Sequence, residues 1–247
     1  TQPDWELGPD DCDQIAGLEW RIGRADSGIA VDSSKELPGV GQTWSSPTVA
    51  RVNIDRSWGS NADKMVLIFG GGYDTGQDSI GYSVDGVGNR IFMVDALTGD
   101  LIWYAGDDAD ASLRLTKMTN AIPGEVRAVD LTGDGFTDRM YAADLGGRVW
   151  RFDIKNGATP ANLVVGGVFA SLGTGDLATT TGTAADEANR RFFYAPDVAL
   201  MNSGSASWIN VAIGSGHREK PITDQTAINR FYSLRDYNVF TTVASDQ

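Results

Sequence analysis

A single cysteine and a single histidine in 247 residues remove several chemistries at once. Cys12 has no partner for an internal disulfide and cannot build a thiolate metal site. His217 alone excludes multi-histidine zinc and copper centres within the chain. Basic residues are in deficit, 20 Lys and Arg against 33 Asp and Glu, a net charge of −13. No basic cluster interrupts that balance. Neutralising a phosphate backbone needs Lys and Arg on one face, so no nucleic-acid partner is expected. The longest apolar run, residues 65–69, is strand-sized. A bilayer-spanning helix needs about 20, so no membrane insertion is expected of this segment. Thr1-Gln2-Pro3 opens the chain without a charged or apolar leader. The expectations that follow are a cytosolic protein, a processed mature form or a segment of a longer one.

Proline is scarce at 8 residues, whereas glycine reaches 30 and apolar residues 41%. That combination suits short strands joined by tight turns around a real core. Residues 1–43 are acidic early and loop-rich, and read as an N-terminal segment, an insertion or part of a preceding blade. From Trp44 the texture changes to short apolar runs bounded by Gly, Asn and Asp, as in an all-β domain over 44–247.

A repeat organises that domain. First strands are expected at 46–52, 124–130 and 194–200, and second strands at 64–70, 138–144 and 207–214. Third strands, at 89–95, 147–153 and 229–234, match best, each with Arg followed by an apolar residue, an aromatic, a variable residue and another apolar one. Side chains alternate faces with period two, so Phe92 and Val94, Trp150 and Phe152, and Tyr232 and Leu234 fall on equivalent faces. Fourth strands are expected at 101–105, 168–172 and 239–243, and an insertion loop at 177–188. The fold expected is all-β, of β-propeller type, with about three four-stranded blades. A β-sandwich is the alternative. Propellers typically close with 4–8 blades, so three would be part of a larger, incomplete ring.

Between the first two strands of the second unit runs Asp130-Leu131-Thr132-Gly133-Asp134-Gly135-Phe136-Thr137-Asp138. Oxygen ligands at loop positions 1, 3, 5, 7 and 9 can wrap a hard cation. Here they are Asp130, Thr132, Asp134, the Phe136 carbonyl and Asp138, with Gly135 permitting the sharp turn. All-oxygen ligation in a pliant ring favours Ca²⁺ over Mg²⁺ or Zn²⁺. Tyr141 stands where a helix–loop–helix hand has its bidentate Glu, so the site is the shorter nine-residue kind on a β-hairpin. The bland alternative is an acidic glycine turn with no metal. Other clusters are weaker: Asp107, Asp108 and Asp110 read as a solvated loop, and Asp74 and Asp78 as turn caps. Gly70-Gly71-Gly72 lacks phosphate-loop spacing and reads as close backbone packing. His217 near Ser215 has no nucleophile elbow around it and reads as a hydrogen-bonded inter-strand loop.

Several strings occur in one order: Trp44-Ser45-Ser46-Pro47, the Phe69-Gly70-Gly71-Gly72-Tyr73-Asp74 run, the loop entering Asp138-Arg139-Met140-Tyr141, Asp144-Leu145-Gly146-Gly147-Arg148-Val149-Trp150-Arg151-Phe152-Asp153, and Gly214-Ser215-Gly216-His217-Arg218-Glu219-Lys220-Pro221. Together, over residues 44–240, they resemble the β-propeller domain of the type IV pilus tip-adhesin and biogenesis family, the neisserial PilC-like proteins. The resemblance implies a non-enzymatic, exported protein at the pilus tip on the bacterial surface. It implies roles in pilus assembly and retraction, adhesion to host or abiotic surfaces and twitching motility, with pilin-like subunits as partners. It also implies Ca²⁺ in the 130–138 loop, with Thr132 departing from the frequent Asn or Asp. Two other readings stay open. Quinoprotein dehydrogenases are also Gly- and Trp-rich calcium propellers, and 95–103 is similar to their blade ends. A carbohydrate- or protein-binding ectodomain with integrin-like calcium hairpins is the other.

Overall fold

A computed structural model of the chain describes residues 22–23, 36–55, 63–176 and 183–242. Three antiparallel sheets follow one another along the chain. The first holds β1 (Thr48–Asn53), β2 (Asp63–Gly70), β3 (Ile91–Asp95), β4 (Leu101–Gly106) and a short β5 (Leu113–Arg114) that pairs parallel to β4. The second holds β6 (Arg127–Val129), β7 (Arg139–Ala143), β8 (Arg148–Ile154) and β9 (Val164–Ser171). The third holds β10 (Asp197–Ser203), β11 (Ala206–Gly214) and β12 (Phe231–Asp236). In each, neighbours in sequence are neighbours in space, the up-and-down order of a propeller blade. The architecture is a partial β-propeller.

Alternation along the strands decides how the blades stack. Val66 and Ile68 of β2, Met93 of β3 and Trp103 of β4 share one buried cluster with Met140, Trp150 and Phe152 of the second blade. The intervening residues of the second blade, Tyr141, Ala143 and Val149, pack instead on Ile209, Val211 and Ile213 of the third. The first two blades thus bury both faces, which is why their inner strands read as continuous apolar runs, whereas the third leaves Leu200, Met201 and Phe231 exposed. Phe92 and Val94 face Leu37 and Val40, so the N-terminal residues described here cover the leading face of the first blade. The pairs expected on equivalent faces do lie so: Phe92 and Val94, Trp150 and Phe152, and Tyr232 and Leu234 each point toward the preceding element.

The blades are not uniformly four-stranded, a correction to the expected repeat. The first gains β5, and the third lacks its fourth strand among the described residues, where 239–242 form a turn and bend instead. The Thr241 carbonyl accepts from Arg151 Nη2 at 2.5 Å and Val239 is buried against the second blade, so this stretch is drawn inward rather than along β12. The first strand of the second blade shrinks to three paired residues, Arg127–Val129. Within the expected insertion, Thr183–Glu187 form a short helix, α1. Residues 177–182, most of the 1–43 segment and Cys12 lie outside the described residues. The glycine triplet does allow close packing: a Cβ on Gly70 would lie 2.2 Å from the Ile122 carbonyl. Asp74 caps the turn after it, accepting from the Gly76 amide at 2.8 Å. Asp108 is not merely solvated, because Arg90 Nη2 pairs with it at 2.9 Å and the Tyr104 hydroxyl donates to it at 2.6 Å. No helix among the described residues is long and apolar enough to cross a membrane.

Candidate metal centre

The acidic loop joins β6 to β7 at the end of the blades where β1 also runs out. Neighbouring turns clamp it there. The Thr137 amide donates to the Arg51 carbonyl at 2.8 Å, and Asn156 Nδ2 donates to the Thr137 carbonyl at 3.0 Å. The Arg51 guanidinium lies 4.5 Å above the Phe136 ring, which aligns the loop's exit with the first blade.

Within the loop the carboxylates organise the backbone. Asp130 accepts from the Gly133 amide at 2.6 Å through Oδ1 and from the Gly135 amide at 2.8 Å through Oδ2. Those amides, that of Gly135 foremost, hold its carboxyl below the usual range, so it stays ionised. Asp138 Oδ2 accepts from the Leu131 amide at 2.7 Å and the Thr132 amide at 3.1 Å. The Thr132 hydroxyl stands between them, 3.5 Å from Asp130 Oδ1 and 3.3 Å from Asp138 Oδ2. Asp134 turns away within the loop, accepting from the Phe136 amide at 2.9 Å. Gly133 and Gly135 take φ of +76° and +88°, the left-handed region that glycine enters without penalty.

Positions 1, 3 and 9 are therefore brought together, and position 5 is engaged elsewhere. No group of three or more His, Cys, Asp or Glu side chains among the described residues is arranged around a single point for a metal ion. The donor set nevertheless fits a hard cation: every side-chain donor is oxygen, Asp130 is held anionic, and loop atoms 132–135 are open to solvent. Both Asp130 oxygens and Asp134 Oδ1, each engaged by one amide, keep a further lone pair for a ligand bond, whereas Asp138 Oδ2 takes two amides and leaves Oδ1 for that role.

Beside the loop a buried ionic network locks the second blade to the third. Arg139 and Arg151 face Asp153 and Asp236, all four nearly inaccessible. Arg139 Nε donates to Asp153 at 2.6 Å, Arg151 Nη1 donates to Asp236 Oδ2 at 2.8 Å, and the Tyr141 hydroxyl donates to Asp236 at 2.6 Å. A cavity of about 160 Å³, walled by Thr132, Asp138, Arg139, Asp153 and Phe240, joins the loop to this network. Sequence reasoning found the loop but not the network, whose members lie on strands distant along the chain. The repeat pattern did not mark the network's cations, since Arg139 lies in a second strand and Arg151 at the variable position of a third.

The fold and site define a partial β-propeller carrying an acidic hairpin loop. Its fold is similar to that of the Pseudomonas aeruginosa PilY1 C-terminal domain, with a TM-score of 0.50 and 20% identity, over 81% of this chain. The chain spans only 38% of the length of that neighbour. No family model and no curated protein matches the sequence.

Proposed function

We propose that this chain is a non-enzymatic, calcium-binding propeller module of a type IV pilus-associated protein. Exported to the cell surface and carried at the pilus tip, it acts in assembly and retraction control, surface adhesion and twitching motility. The observation that carries the proposal is the β6–β7 loop, where Asp130, Thr132 and Asp138 already converge and amides keep Asp130 ionised. The likeness of fold to the pilus-associated PilY1 domain and the ordered strings between 44 and 240 support the setting.

Calcium would be held by Asp130, Thr132, Asp134, the Phe136 carbonyl and Asp138. It would supply charge neutralisation, removing two of the loop's three negative charges. Asp134 keeps an oxygen free of the Phe136 amide for that role. The loop's exit runs directly into Arg139, the start of the inter-blade network. Fixing the hairpin therefore stiffens the junction of the second and third blades, and with it a surface on which pilin-like subunits dock. Affinity on the order of micromolar or weaker suits calcium-rich surroundings outside cells. Calorimetry tests the reading: Ca²⁺ should bind with one site per chain, and Asp134→Ala should abolish it. No heat at millimolar Ca²⁺ would remove the basis of the proposal.

A further inference from the structure

A second cavity, larger than the one beside the metal loop, lies at the opposite end of the blades, beneath the β11–β12 connection. It encloses about 430 Å³, inside the range of about 300–1,000 Å³ typical of small-ligand clefts. Phe193 and Tyr194 line one side, with Gly216, Arg218, Asp224 and Asn229 among the others. The site is built rather than incidental. His217 Nδ1 lies 2.7 Å from Asp224 Oδ2, Arg191 Nη1 lies 2.6 and 2.7 Å from the two ring nitrogens, and Nε2 lies 3.2 Å from the Gln77 carbonyl. Burial and the Arg191 charge both hold that ring below its usual pKa. Arg191 Nη2 in turn donates to the Ser79 carbonyl at 2.8 Å, anchoring the cluster to the first blade's β2–β3 connection.

Two atoms of this cluster are left over, Arg191 Nε and Asp224 Oδ1, and the second belongs to a residue that lines the cavity. Asp224 is only 8% exposed, and its Oδ1 has no hydrogen-bond partner although the residue lines the cavity. A buried acceptor left unsatisfied is costly, so a donor is wanted there. Its chemistry can be narrowed. An anionic ligand would meet the Asp224 carboxylate. A cationic one would meet Arg218, and Asp224 is already faced by Arg191 Nη1 at 4.0 Å. An apolar ligand would leave Oδ1 unpaired. A neutral molecule bearing hydroxyls can donate to Oδ1 and also accept from Arg218 or Asn229.

Of the aromatic rings near the cavity, Phe193 and Tyr194 line it, and Trp44 and Tyr73 stack behind them. Trp44 stacks on Tyr73 at 4.4 Å, and Tyr73 and His217 flank Phe193 at 6.1 and 6.4 Å. The Arg218 guanidinium lies 5.5 Å from the Trp44 ring and 5.7 Å from that of Tyr194, which is 63% exposed. An exposed ring beside planar polar groups suits the mixed CH and OH faces of a sugar. We propose that this cavity binds a neutral saccharide, with Asp224 and Asn229 taking its hydroxyls and Tyr194 packing on a ring face. The site is separate from the acidic loop and does not depend on the calcium reading.

Gly216 provides a clean test. Gly216 lines the cavity and a Cβ there meets no heavy atom within 4 Å, so a larger side chain is added at its edge without displacing the wall. Saturation-transfer NMR and calorimetry on the whole chain, with a panel of neutral mono- and disaccharides, should find binding with a dissociation constant on the order of 1 mM or tighter. Gly216→Leu should weaken it at least tenfold with an unchanged melting temperature, Tyr194→Ala should weaken it likewise, and chelator should leave it intact. No saccharide binding at 10-fold above that concentration would overturn the proposal. So would undiminished binding to Gly216→Leu, or binding of charged sugars alone.

Discussion

Removing Asp236 should uncouple the second and third blades. Asp236 closes β12, and its side chain is only 2% exposed. It accepts from Arg151 Nη1 at 2.8 Å and from the Tyr141 hydroxyl at 2.6 Å, with Arg139 Nη1 at 3.4 Å. Asp153 balances the other charge, accepting from Arg139 Nε at 2.6 Å and Arg151 Nη2 at 3.0 Å. Two guanidiniums and two carboxylates thus balance one another in a nearly inaccessible site. Asp236→Ala leaves two cations against one anion and strips the partner from the Tyr141 hydroxyl. Breaking a buried pair from one side costs about 3–5 kcal/mol, because the remaining charge stays buried. Asp63→Ala is the control, since its partner Arg51 at 2.6 Å and Asp63 itself are both 45% exposed. An exposed pair of that kind contributes roughly 0–1 kcal/mol. Urea unfolding followed by tryptophan fluorescence and far-UV circular dichroism reads the difference. A loss at Asp236→Ala no larger than at Asp63→Ala would refute the reasoning, since the network would then be hydrated in solution.

Two further outcomes follow from the same geometry. Burial lifts the Asp85 carboxyl to about 6, against hydrogen bonds from the Ala121 amide and Gln77. Between its unfolded value and that one the folded chain keeps a proton the unfolded chain has released, so this group's contribution falls as pH rises through the window. Asp85→Asn should therefore gain about 2–3 kcal/mol relative to wild type between pH 4 and pH 7, and parallel urea curves at both pH values would contradict this. Gly135→Ala forces a Cβ into the left-handed region at φ +88° and should lower stability by about 1–2 kcal/mol. Gly81→Ala, with open space and no such φ, should stay within about 0.5 kcal/mol in the same denaturation series, and equal effects would argue against the described turn.

Legibility followed the range of the interaction. Strands β3, β7 and β8 were readable as apolar runs because both faces are buried, and β2 and β11 because their apolar residues lie close together along the chain. The matched faces of Phe92, Trp150 and Tyr232 were readable because period-two alternation is local. The acidic loop was readable because its donors are contiguous, with Asp at fixed spacing around Gly135. Contacts closed by the fold were not. Val239 and Phe240 have the composition of a strand, yet two guanidiniums from β7 and β8 draw the Thr241 carbonyl away from the sheet. Asp224 has no local signal in the sequence, because its burial against His217 and Arg191 is made by the β11–β12 connection. The engagement of Asp134 by the Phe136 amide was likewise invisible, since spacing says which oxygens are near but not which donor each one takes.

Hydrogen exchange across residues 125–153, with millimolar Ca²⁺ and with chelator, tests the central claim most directly. At calcium a hundredfold above the dissociation constant, binding stabilises the folded loop by about 2.7 kcal/mol. Protection should rise through the 130–138 loop and into β7 and β8, and Asp134→Ala should erase the difference. Equal protection in both conditions would contradict a calcium-locked junction between the blades.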